Sequence, residues 1–126
     1  MSDMDIANMD SSPPSPAPVT PAIFHILLAL IAGANHGYAI MQEVPRLTHG
    51  RVRLGNATLY RSLQRMAVDG LVEEFSDPHS AADERRREYR LTALGRRTAV
   101  EESRRLQMLV AAARRLRLLG GRRAPR

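Results

Sequence analysis

Between Pro21 and Gly70 the apolar residues recur at helical spacing, then switch to strand spacing, then return to helical spacing after Thr92. The first segment, Pro21 to Ala32, is apolar on nearly every side: Ile23, Phe24, Ile26, Leu27, Leu28, Leu30 and Ile31. A helix that is hydrophobic all round is sandwiched between partners. Thr20-Pro21 is a start signal, with threonine as N-cap and proline at the first helical position, and Gly33 ends the segment. A second helix runs from about Gly37, with Tyr38, Met41 and Val44 on one face and Leu47 at its end. Pro45 removes a hydrogen bond there and crowds the turn before it, so this helix is predicted to kink or to end near Val44. Thr48 to Gly55 is the turn. A third helix begins around Asn56, read as its N-cap, buries Leu59, Leu63 and Met66, and stops at Asp69-Gly70.

The rhythm then changes. Leu71 to Ser76 is a short strand, "DPHSAAD" a turn, and Glu84 to Leu91 the return strand. On that strand Arg85, Arg87, Tyr89 and Leu91 share one face, and Arg86, Glu88 and Arg90 the other. Thr92 caps a long final helix, roughly Ala93 to Leu119, with the stripe Ala99, Leu106, Leu109, Val110, Ala113 and Leu116. Glu101 and Arg105 stand one turn apart in the favourable order. The predicted fold is mainly α with a small two-stranded wing: a winged helix-turn-helix plus a long C-terminal dimerisation helix. Residues 1–19, with "SSPPSPAPV", are a disordered acidic, proline-rich arm. Residues 20–91 form the DNA-binding domain, 92–119 the dimerisation helix and 120–126 a frayed tail. Nothing else in the chain is left to cover the stripe of the last helix, so the expected assembly is a homodimer.

Charge narrows the partner. The 126 residues carry +6, all nineteen basic side chains being arginine. Residues 1–20 hold Asp3, Asp5 and Asp10 and no base, so the remainder carries +9 and suits a polyanion, double-stranded DNA first. There is no cysteine, which excludes disulfides, thiolate catalysis and cysteine-bound zinc. The N-terminus lacks the pattern of a signal peptide, and "AIFHILLALIAGA" is too short to span a bilayer, so a cytoplasmic protein without a membrane is expected.

In a helix-turn-helix the second helix of the pair enters the major groove and its N-terminal residues meet base edges. Asn56, Thr58, Tyr60, Arg61, Gln64 and Arg65 lie at the start or on the outer side of that helix. Arginine grips guanine and glutamine grips adenine through paired hydrogen bonds, whereas Asn56, Thr58 and Tyr60 suit phosphates. Any amphipathic helix has a polar outer face, but "ERRREYR" adds four arginines to a narrow ribbon. A phosphate backbone would neutralise them, with Arg85 and Arg86 the leading contacts. Partial compensation by Glu84 and Glu88 is the alternative. His25, His36, His49 and His79 match no metal-ligand spacing; His36 is expected to help cap the second helix. Ser62, Ser76 and Ser103 have no placed base, so neither an enzyme nor a cofactor is expected.

"ILLALIAGANHGYAIMQEV", "GNATLYRSLQRMAVDGLVEE" and "DERRREYRLTALGRR" resemble the PadR family of bacterial transcriptional regulators, in its short form with one C-terminal helix. The resemblance covers about residues 21–115 and rests on His36-Gly37-Tyr38, Thr58-Leu59-Tyr60 and Arg86 with Tyr89-Arg90-Leu91-Thr92. It implies a winged-helix homodimer that represses promoters with palindromic operators and is released by a small-molecule effector. Thr58 and Tyr60 match the family's recognition-helix start, and Arg86 its wing arginine. Family members bind planar aromatic ligands between the terminal helices and the core; here Phe24, His25, Met41 and Met108 are the candidates to line such a site. Pro45 and the acidic arm depart from the family pattern. The residues leave one other reading open, a winged-helix module that docks on a partner protein without specific DNA binding.

Overall fold

The computed structural model describes residues 19–75 and 87–120. Helix α1, Pro21–Ile31, starts where the sequence signals it: Thr20 is extended and its hydroxyl accepts from the Ile23 amide at 3.1 Å. Gly33, at φ +114°, turns the chain out of it. The helix packs against α2, Gly37–Leu47, against α3, Asn56–Val68, and against the last helix, α4, Ala93–Arg115, as well as strand β2, Glu88–Leu91. Ile26, Leu27 and Ala29 are fully buried there, so the apolar girdle of α1 finds most of its cover within its own chain.

Of the two expectations for α2, a kink or an end near Val44, the end is corrected, since the helix continues through Pro45 to Leu47. Pro45 lies in the last turn, where its missing N–H costs one intrahelical bond. The end is secured instead by Thr48, whose amide and hydroxyl both donate to the Val44 carbonyl, at 3.1 and 2.9 Å. The same hydroxyl accepts from the Val52 amide at 3.0 Å and so organises the turn, in which His49 and Gly50 take φ of +53° and +80°. The start of α3 is also shifted. Gly55 is the N-cap, and its carbonyl accepts from Leu59 at 2.9 Å. Asn56 already has helical backbone and makes no capping bond, because a cap needs the extended conformation that Gly55 takes. At the other end Gly70, at φ +77°, lets the Leu71 amide return to the Met66 carbonyl at 2.8 Å.

Strands β1, Val72–Phe75, and β2 pair antiparallel, with Val72 opposite Leu91 and Glu74 opposite Tyr89. The connector before α2 joins them: His36 bridges Glu88, and the Tyr89 amide donates to the Asn35 carbonyl at 2.8 Å. Thr92 caps α4, accepting from Gly95 at 3.0 Å, and its hydroxyl donates to the Gly70 carbonyl at 2.6 Å. Helix α4 stops at Arg115 rather than Leu119, because Arg117 turns left-handed at φ +64°. The expected Glu101–Arg105 pair is replaced by Glu102, which accepts from Arg105 Nε at 2.9 Å. Only Gly95 and Ala99 of α4 are buried. No helix of the described residues is long and apolar enough to cross a membrane.

Candidate nucleic-acid interface

Three buried side chains, Leu59, Leu63 and Met66, pin α3 to the core and fix which residues it turns outward. Asn56, Thr58, Arg61, Gln64 and Arg65 are all exposed. Arg65 is partly engaged, its Nε lying 3.2 Å from Asp69 Oδ2. Tyr60 differs from the other five. It is half-buried and packs against Gly37, where an added Cβ would collide with the Tyr60 hydroxyl. Its ring therefore serves the joint between α2 and α3 rather than the outer face.

Two arginines outside the recognition helix join this face. In the turn before α3, Val52 and Leu54 pack against the core while Arg51 and Arg53 are exposed. The signal was there: alternation over 51–54 puts both arginines on one side, beside the start of α3. Neither has an ion-pair partner among the described residues, and the same holds for Arg61. The first amides of α3 add the positive end of the helix dipole to this corner.

In the wing, Arg85 and Arg86 lie outside the described residues. The arginines that are described there are partnered. Arg87 Nη1 is 3.0 Å from Glu74 Oε2, and Arg90 lies over the Phe75 ring at 4.0 Å and within 4.0 Å of Glu88 Oε1. Compensation thus comes partly from Glu74, across the sheet, as well as from Glu88. Tyr89 is buried, and burial, reinforced by Glu74, raises its phenol above the ordinary tyrosine value while Arg87 opposes the shift. His36 occupies the cap position of α2 but makes no side-chain cap bond; its Nε2 is instead 3.8 Å from Glu88 Oε2.

The candidate effector residues lie on three helices, Phe24 and His25 on α1, Met41 on α2 and Met108 on α4. Phe24 and Met41 pack against the core, and His25 Nδ1 is 2.6 Å from the Pro21 carbonyl. Met108 is 70 % exposed on α4. Two clefts of the described residues lie elsewhere. One, of about 270 Å³, opens between α3 and the wing; the other, of about 410 Å³, runs along α4 beside Arg96, Val100 and Arg104. Neither is lined by any of the four residues.

The model of the PadR-like family of transcriptional regulators matches residues 26–101, from within α1 to the third turn of α4. The chain belongs to that PadR-like family. No curated protein matches its sequence. Among solved structures it is similar to a transcriptional regulator from Clostridium thermocellum (TM-score 0.64, 21% identity, 75% of this chain and 87% of the other). It is similar, too, to a PadR family transcription regulator from Clostridium difficile (TM-score 0.56, 21% identity, 74% and 96%). RosR of H. salinarum is a third (TM-score 0.55, 25% identity, 83% and 100%). The fold is thus the winged helix of PadR-type regulators. Two motifs of the PadR resemblance meet in space: Gly37 of His36-Gly37-Tyr38 leaves the room that Tyr60 of Thr58-Leu59-Tyr60 fills.

Proposed function

We propose that this PadR-like regulator is a cytoplasmic, homodimeric repressor that binds a palindromic operator in double-stranded DNA and is released by a small-molecule effector. The observation that carries the reading is the set of exposed arginines, Arg51, Arg53 and Arg61, that have no ion-pair partner among the described residues and lie in the turn before α3 and in its first half. In this reading Arg61 and Gln64 meet base edges in the major groove. Asn56, Thr58, Arg51 and Arg53 hold phosphates, as do Arg85 and Arg86 of the wing, and fix the register without reading sequence. Dimerisation is supported by the outer half of α4 and its C-cap, where Met108, Leu109 and the capping Leu116 are more than half exposed. A regulator needs no catalytic machinery, and none is assigned.

The test is titration of the purified protein against its own upstream DNA and a scrambled duplex at two salt concentrations. Salt-sensitive binding that prefers the upstream DNA by about a thousandfold is the expected result, the low end for specific readers. Weak binding equal for both duplexes would reject the operator reading and favour docking on a partner protein.

A further inference from the structure

The outer face of α4 carries a groove of about 410 Å³ lined by that helix alone. Ala93 and Val100 give it apolar surface, Arg96, Arg97 and Arg104 three positive charges, and Glu101 one negative charge. None of these three arginines has an ion-pair partner among the described residues. At about 3.6 residues per turn the groove positions fall opposite Gly95, Ala99 and Leu106. That opposite side meets the core and runs on into the stripe assigned to dimerisation. A second copy seated on the stripe therefore leaves the groove open. Its chemistry asks for an occupant that is both anionic and partly apolar.

Residues 1–18 meet both demands. They hold Asp3, Asp5 and Asp10 with no base, and Met4, Ile6 and Met9 stand between those carboxylates. The corner before α3 also offers arginines, but Asn56, Thr58 and Gln64 beside them give no apolar surface. The segment is delivered to the right helix as well. It leads into Val19, which packs against the core, and α1, which follows at once, packs against α4. Eighteen residues reach at most about 60 Å, whereas Ala93 to Arg104 spans about 17 Å of helix. Tethering sets an effective concentration on the order of millimolar, so contacts as weak as exposed ion pairs suffice for occupancy. We propose that residues 1–18 seat in this groove of their own chain, with Asp3, Asp5 and Asp10 against Arg96, Arg97 and Arg104, and methionine against Val100. The seat holds whether or not the outer face of α3 reads DNA.

The chain has no cysteine, so Ala7→Cys provides one attachment point for a nitroxide on the full-length, ¹⁵N-labelled protein. The expected result is a loss of amide signal, relative to the reduced label, that is largest at Val100 and Glu101. High salt is expected to restore those signals, since the pairs are exposed. The combined Asp3→Asn, Asp5→Asn and Asp10→Asn chain is expected to restore them too, as is Arg97→Glu at its exposed position. A loss that survives both sets of substitutions would overturn the charge pairing. An even loss along the chain, or none, would overturn the seat. A loss centred on Arg53 and Arg61 would overturn it in favour of the corner before α3. Mixing spin-labelled ¹⁴N chains with cysteine-free ¹⁵N chains separates one chain from two. No loss is expected in the mixture, and a loss of the same size would overturn the same-chain seat.

Discussion

Helices α3 and α4 are written alike, an apolar stripe with arginines opposite, yet the fold treats them differently. Leu59, Leu63 and Met66 of α3 are all but completely buried within the chain. The stripe of α4 is buried at Ala99 and then runs into the open, with Leu109 54 % and Leu116 71 % exposed. Their charges differ as well: Arg61 of α3 has no ion-pair partner among the described residues, while Arg105 of α4 is bound by Glu102. Apolar periodicity therefore predicts which face of a helix is to be covered, but not whether the chain itself supplies the cover. That depends on how many elements can reach the face, and α4 outruns α1 and β2, the elements it packs against.

The largest expected break of this contrast is Leu63→Ala. It removes fully enclosed atoms and is expected to cost about 2–5 kcal/mol in urea denaturation. Leu109→Ala, measured in dilute protein, is expected to stay within about 0.5 kcal/mol, while sedimentation shows weaker self-association. Equal losses at the two sites would erase the distinction between a stripe covered in the chain and one covered by a partner.

Gly37→Ala sharpens how α3 is held. Alanine ordinarily favours a helix over glycine, but here its Cβ meets the Tyr60 hydroxyl, so a loss of about 1–3 kcal/mol is expected. Combining it with Tyr60→Phe is expected to restore part of that loss, a coupling a double-mutant cycle measures. On the outer face, Arg61→Ala is expected to cost about 1–3 kcal/mol on the preferred duplex and to relax sequence preference. Arg51→Ala is expected to weaken all duplexes alike and to reduce the salt slope by about one.

The smallest effect belongs to α4. The hydrogen bond from Arg105 holds the Glu102 carboxyl below the usual carboxylate range. A depressed folded value means that this pair contributes above the unfolded carboxylate value and loses its contribution as pH falls through the lowered one. Arg105→Ala is expected to leave the melting temperature at neutral pH nearly unchanged, as for exposed pairs, and to flatten its fall in acid. A steeper fall would reject the assignment.

Local signals in the sequence carried the helices well. Thr20 and Thr92 cap where they stand, because a hydroxyl facing its own third-next amide needs no distant partner. Asn56 misled by one residue, since a neighbouring glycine takes the cap's extended backbone as readily. Pro45 does not end its helix, because its cost depends on where in the helix it falls. The end of α4 was missed, as nothing in "RRLRLL" marks Arg117 for a left-handed turn. The candidate site was less legible. Tyr60 was read as outward because only tertiary packing brings Gly37 against it. Glu74 as the partner of Arg87, and Asp69 as that of Arg65, follow from the strand register and from one helical turn. The latter was readable from spacing alone, and the former needed the pairing of the strands.

Helix α1 packs against α2, α3, α4 and β2, all of which follow it in the chain. During synthesis Ile26 and Leu27 therefore leave the ribosome before α2, α3, β2 and α4, which enclose them. Their core is complete only when Ala99, far along the chain, has joined it. Such long-range closure delays folding and keeps an apolar helix bare meanwhile. A nascent chain cut short before α4 is thus expected to keep part of this core open and to associate through it.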